Sequence, residues 1–474
     1  MSNHSEPCFG RMRVATLVLA LSAIVVASAC DPPLPGSPAA LFMAIASSSD
    51  QPDDSPADDA VMSKTVTLPG PGDVVLVGGW SKGNKSTASA EFFNPTTKKF
   101  SSLGSMPLGE GLGVGALLTS GVPHNEILVA GGFGGKSKFT KKGVSTTITG
   151  DATTQLEIFD PATGKFTAAS APLLTARVGA SATALASGKI LIAGGTDSSG
   201  TPTNTAEVFD PATGKTTATL NHMSSPRALH SATLLGDNTV LIAGGATDNT
   251  GDLNNSADIY DPVANTFTAT GALLEARGAH AAVLLNTGSL SGQVLIAGGF
   301  TNVSSALSVI PFVEAYDPVG KVFNYTASSM NNGRAFHTAT VLANGKVLVA
   351  GGFSVFGSTV AGDKLSGLYG ANQNSAELFD PVAQTFTCIN GTLSGGIGCK
   401  AAMKMGRGGH TATLFTSGPL EGQVLIAGGL GAKKPNSTAT ELNEAELFNP
   451  TTNTFTATGP LKAARGLHTA ILLP

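Results

Sequence analysis

The stretch ILIAGGTDSSGTPTNTAEVFDPATGKTTAT, residues 190–219, decides the fold. Ile190 to Ala193 are apolar at every position, as expected of a short strand packed on both faces. The pair Gly194-Gly195 ends that run where positive φ or a close backbone approach is needed. A second short run then begins at Glu207 and ends in Asp210-Pro211, and Asp-Pro-Ala-Thr-Gly (210–214) supplies a side-chain cap, a preset φ and a glycine for a tight turn. A third run, rich in threonine, follows around Thr216. These are strands separated by turn chemistry, with nothing of helical period between them.

The same elements recur along the chain. Glycine pairs stand at Gly78-Gly79, Gly131-Gly132, Gly194-Gly195, Gly244-Gly245, Gly298-Gly299, Gly351-Gly352 and Gly428-Gly429, mostly about 50 residues apart. The acid-led run begins at Glu91, Glu157, Glu207, Asp258, Glu314, Glu377 and Glu446. The third element centres on Phe100, Phe166, Thr216, Phe267, Phe323, Phe386 and Phe455. A fourth carries Arg, a spacer, His and small residues before Leu-Leu, as in Arg227 to Leu235 and Arg465 to Leu473. Each unit therefore reads as a four-stranded antiparallel sheet. Strand A holds the Arg-His run, strand B ends in Gly-Gly, strand C carries the acid and strand D the aromatic residue.

The first unit starts at strand B (Val74 to Val77), and the chain stops after a strand A with no sheet of its own (Gly466 to Leu473). Pairing the two closes a seven-membered ring, which removes sheet edges that an open array would expose. The expected fold is all-β, a seven-bladed propeller over residues 65–474. This layout resembles the kelch repeat, and closely resembles exported bacterial kelch proteins related to the central domain of galactose oxidase.

That resemblance implies a copper site made of two tyrosines and two histidines, one tyrosine cross-linked to a cysteine. Only Tyr260, Tyr316, Tyr325 and Tyr369 are present. None adjoins a histidine, and Tyr260 and Tyr316 occupy the repeated strand C position, so the oxidase chemistry does not carry over. No cofactor and no metal is expected. Tyr369 with Cys388 is the one tempting cross-link, but Cys399 lies near Cys388 and competes for it. In an exported chain a Cys388–Cys399 disulfide is the default, and closing that loop should stabilise by about 3 kcal/mol.

The Arg and His of strand A recur at Arg227/His230, Arg277/His280, Arg334/His337, Arg407/His410 and Arg465/His468. A catalyst needs one asymmetric constellation, so a group present in most blades reads as blade structure. Arg should pair with the strand C acid, Arg465 with Glu91, and His should be satisfied by backbone groups. No catalytic residue is assigned. The second unit departs from the pattern, with Glu110 where Arg belongs and Gly113 where His belongs. Glu110 near Glu157 could hold a cation or share a proton, but neighbouring glycines let Glu110 turn to solvent. Asp248, Asp252 and Asn254 resemble a calcium loop without its final bidentate Glu, which favours a solvated turn.

Charged residues are 13% of the chain and the net charge is -4, so no basic field exists to hold nucleic acid. Arg11 and Arg13, the apolar run Val14 to Val26 and the small residues before Cys30 have the order of a secretory signal, residues 1–29. Cys30 is the candidate lipid anchor, although Ala27 departs from the Leu preferred in a lipobox. Met12 opens a signal of more usual proportions, which makes residues 1–11, with Cys8, an upstream extension. Residues 30–64, rich in Pro, Ser and Asp, read as a disordered tether. The expected location is the cell envelope, as a lipoprotein, or the medium.

B-to-C and D-to-A connections leave the same end of an antiparallel blade, and every long insertion is one of these: 133–154, 353–374, 388–406 and 430–443. Candidate binding residues on that face are Lys136, Lys138 and Phe139 on one loop, with Phe353, Phe356 and Tyr369 on another. The leading reading is a non-catalytic module for a protein or glycan partner. The alternative, an extracellular carbohydrate-active or galactose-oxidase-like enzyme, rests on likeness of fold.

Overall fold

The computed structural model describes residues 67–474, apart from 82–84, 108, 110, 121–124, 143–144, 249–251, 304–305, 355–372, 393–397 and 432–439. Seven four-stranded antiparallel sheets follow one another around a closed ring. Blade 4 is typical: strand A is Ser231–Leu234, B Val240–Ala243, C Ala257–Asp261 and D Thr266–Ala269. The A strands touch their neighbours all the way round and so form the inner wall.

Closure is as the chain ends require. Val74–Val77, strand B of blade 1, pairs on one side with Ser89–Asn94 and on the other with the C-terminal strand Thr469–Leu472, in the register Val74↔Leu472 to Val77↔Thr469. All seven B strands are fully buried. Each supplies both of its neighbours. In blade 7, Val424 and Ile426 join the core shared with blade 6, while Leu425 and Ala427 join the core shared with blade 1. Seven such apolar clusters alternate with seven blades. Each buried Val, Leu or Ile in them contributes about 1.5–3 kcal/mol.

The glycine pair is required twice over. In blade 3, Gly194 and Gly195 have φ of 63° and 89°, and a Cβ on Gly194 would stand 2.5 Å from the Arg227 carbonyl oxygen of blade 4. That close approach lets the Gly195 N–H donate to the same oxygen at 2.9 Å. The contact recurs at Gly132–Arg177, Gly245–Arg277, Gly299–Arg334, Gly352–Arg407 and Gly429–Arg465, with distances of 2.7–2.9 Å.

Candidate functional site: the insertion-bearing face

Beyond each glycine pair the chain turns back onto the loop that follows the strand A arginine. The bridges Trp80↔Gly466, Phe133↔Gly111, Thr196↔Val178, Ala246↔Ala228, Phe300↔Gly278, Phe353↔Ala335 and Leu430↔Gly408 place every B-to-C connection beside a D-to-A loop, at one end of the ring. Two-stranded ribbons rise there from blades 1, 2, 5 and 7, as Trp80–Ser81 with Lys85–Ser86, Phe133–Lys142 with Ser145–Ala152, Phe300–Val303 with Ala306–Val309, and Leu430–Gly431 with Thr440–Glu441. The blade 1 and blade 2 ribbons touch. Blades 3 and 4 carry instead the short turns around Asp197 and Asp248.

At the centre of this face the chain makes a ring of its own. Leu112, Gly179, Leu229, Ala279, Phe336, Gly409 and Leu467 all have φ between 51° and 61°, a region that non-glycine residues enter only under constraint. The constraint is a chain of six hydrogen bonds between successive blades: the N–H groups of Gly179, Leu229, Ala279, Phe336, Gly409 and Leu467 donate to the carbonyls of Leu112, Gly179, Leu229, Ala279, Phe336 and Gly409 in turn. Around it lies a collar made by the residue after each glycine pair, apolar in every blade except blade 3, where it is Thr196. Trp80 meets Phe133 edge-on at 5.9 Å, and Phe336 meets both Phe300 and Phe353 at 5.7 and 5.9 Å. Phe353 therefore does not stand out from an insertion; it is 6% exposed and packs with Leu430, Phe336 and Leu467. Lys136, Lys138 and Phe139 lie on the blade 2 ribbon, but their side chains fall outside the described part of the molecule. Phe356, Tyr369 and Cys30 lie outside the described residues altogether.

The repeated arginines are structural, and there are six. Arg177, Arg227, Arg277, Arg334, Arg407 and Arg465 are at most 1% exposed. They pair within their own blades with Glu207, Asp258, Glu314, Glu377, Glu446 and Glu91 at 2.5–2.9 Å. Nη1 of each also donates to the carbonyl of the first glycine of its blade, as Arg227 does to Gly244 at 2.9 Å. The acid in turn accepts backbone N–H groups of the D-to-A loop, as Glu207 does from Leu174 and Thr175. Burial pulls each guanidinium pKa down while the paired acid opposes it. Arg177 escaped the sequence reading because Ala180 stands where the other blades have His.

The histidines differ from expectation in their partners. Nε2 of His230, His280, His410 and His468 bonds to a hydroxyl of the preceding blade, at Ser181, Ser231, Thr338 and Thr411, over 2.8–3.0 Å. These are links between blades, and the signal was legible as the hydroxyl residue next to the His position. His337 faces Ala281 where a hydroxyl would be, and its Nε2 has no partner among the described residues. Burial, then the neighbouring arginine, pushes His230, His280 and His410 down to about 3 and His337 and His468 well below the ordinary value.

Cys388 and Cys399 form a disulfide with a Cα–Cα distance of 5.3 Å. Their sulfurs and a Glu377 oxygen are mutually within 4.8 Å, the one such His/Cys/Asp/Glu group among the described residues. With the sulfurs bonded to each other and Glu377 held by Arg334 and the Asn331 and Asn332 N–H groups, this is a cross-link rather than a metal centre.

Two segments, residues 70–107 and 176–215, match the Kelch motif. No curated protein sequence matches the chain. Among solved structures, a novel fungal alcohol oxidase of the AA5 family, in complex with copper, aligns over 83% of this chain and 73% of its own at 17% identity, with a TM-score of 0.54. A structure titled "Structure of YjhT" aligns over 68% of this chain and 95% of its own, at 13% identity and a TM-score of 0.47. At 17% identity the likeness to the oxidase speaks to fold alone. The protein is a seven-bladed β-propeller, two segments of which match the Kelch motif.

Copper does not fit the described donors. The strand A histidines stand at one end of their blades, and four of the five are bonded between blades. Tyr260 and Tyr316 pair with Val240 and Val294 at the other end, their hydroxyls held by Asn265 and Thr270. Tyr325 lies at the outer edge of blade 5, and Cys388 is committed to Cys399.

Proposed function

We propose that the protein is an exported, non-catalytic binding module that holds a protein or glycan partner on its insertion-bearing face. The observation that carries this reading is one-sidedness: the repeated polar groups are consumed within the ring, while the segments that break the repeat rise from one end of it. Export, with Cys30 as lipid anchor, rests on the order of residues 11–30. The test is removal of residues 133–154 and 353–374, separately and together, from the full chain, followed by binding to peptide and glycan arrays. Loss of array binding by variants that still unfold cooperatively is the expected result. Binding left intact by both deletions contradicts the proposal.

A further inference from the structure

In a molecule that repeats itself seven times, the outer corner of blade 5 does not. The residue two places before the strand C acid is a hydroxyl in four blades, and Ser89, Thr205, Ser256 and Ser375 accept a bond from Nη2 of the blade's arginine at 2.8–3.3 Å. In blade 5 this place is taken by Phe312, and Nη2 of Arg277 keeps its bond to Glu314 without a hydroxyl beside it. The strand D residue opposite the acid is Ala168, Ala218, Ala269 or Ala457 in blades 2, 3, 4 and 7, but Tyr325 in blade 5. A buried bond is thus given up, and two rings are turned outward. Phe312 is 42% and Tyr325 52% exposed, with Leu274 beside them on the D-to-A loop at 46%.

The two rings stand 6.2 Å apart at 60°. The Tyr325 hydroxyl donates to Glu275 Oε1 at 2.9 Å, which fixes a carboxylate against the ring edge. Behind them Glu314 is paired with Arg277, so the corner holds two carboxylates against one guanidinium and keeps a net negative charge. Exposed aromatic faces in a negative field attract a cation, whose charge meets the carboxylate while its stem covers the ring. Phe312 precedes strand C (Val313–Asp317) and Tyr325 ends strand D (Val322–Tyr325), which puts the corner at the rim of the insertion-bearing face.

We propose that Phe312, Tyr325 and Glu275 form a docking site for a lysine or arginine side chain of a partner protein. This deepens the binding-module reading and rests on it. The probe is an array of lysine- and arginine-containing hexapeptides, beside the same peptides with norleucine and citrulline and an array of neutral oligosaccharides. It is read with the full chain and with Glu275→Gln, Tyr325→Ala and Phe312→Ser. The last restores the hydroxyl that four other blades have, so it should fold at least as well as the parent. Binding that needs the cation, and that weakens roughly tenfold in each variant, is the expected result. Equal binding of norleucine and citrulline peptides, cationic binding untouched by the three variants, or loss confined to neutral oligosaccharides overturns the site. If deletion of 133–154 still abolishes array binding in those cases, the site alone fails and the module reading stands; absence of all array binding overturns both.

Discussion

Blade 4 and blade 2 are built on the same strand pattern but are tied to the ring differently. In blade 4, Arg227 is fully buried 2.6 Å from Asp258, and His230 reaches Ser181 of the preceding blade. Blade 2 keeps the buried acid Glu157, but Gly113 replaces the histidine and Glu110 takes the arginine's place in the sequence. Its link to blade 1 is the Thr469 hydroxyl donating to the Gly113 carbonyl at 3.3 Å, and Gly115 makes room for the Thr469 methyl. Blade 2 still forms its sheet and both of its apolar interfaces. The blades therefore stand on strand B packing, while the Arg–acid–His set fixes how the upper loops and neighbouring blades are held.

The comparison breaks first at the seam between blades 7, 1 and 2. Blade 1 takes both its strand A and its arginine from the last residues of the chain, so deletion of 465–474 removes one strand with its four paired residues and the Arg465–Glu91 pair together. We expect no cooperative unfolding transition in that variant by calorimetry. A native-like transition would mean that the ring does not depend on closure.

Acid should act next, and on the blades that have histidines. His230, His280, His337, His410 and His468 fold as neutral imidazoles with pKa values below the ordinary 6.5. The unfolded chain therefore takes up protons first. Stability should be level above about pH 6.5 and fall toward pH 3 by up to about 1.4 kcal/mol per pH unit for each histidine. Urea unfolding at pH 7, 6 and 5 checks this, and a flat profile contradicts it.

The smallest effect sharpens the comparison within the histidine belt. Ala281→Ser offers His337 the partner that the other four have, and should stabilise by about 1 kcal/mol. Unchanged stability would mean that the hydroxyls contribute little.

Much of this ring was legible because its signals are local. Seven glycine pairs, seven acids, a first unit without strand A and a last strand A without a sheet define blades, order and closure, and Arg465 with Glu91 followed from that order alone. What the sequence concealed depends on neighbours from other blades. The collar of Trp80, Phe133, Phe300, Phe353 and Leu430 reads as five unrelated loop starts until the ring is closed, which is why Phe353 passed for a surface residue. The hydroxyl partners of the histidines lie 49–72 residues away. The blade 5 corner went unseen because Phe312 and Tyr325 each look like ordinary strand residues, and they meet only when strands C and D pair.

The central claim is that the repeated charged set is scaffold and that function lies in what does not repeat. Denaturant unfolding of Arg334→Met beside Arg334→Met/Glu377→Leu, with array binding measured on both, tests it most directly. Removing the guanidinium alone leaves Glu377 buried without its counter-ion and should cost about 3–5 kcal/mol, most of it recovered in the double variant, with binding retained by whichever variant is folded. An Arg334→Met protein of parental stability that has lost binding would contradict the account and make the arginine ring itself the functional site.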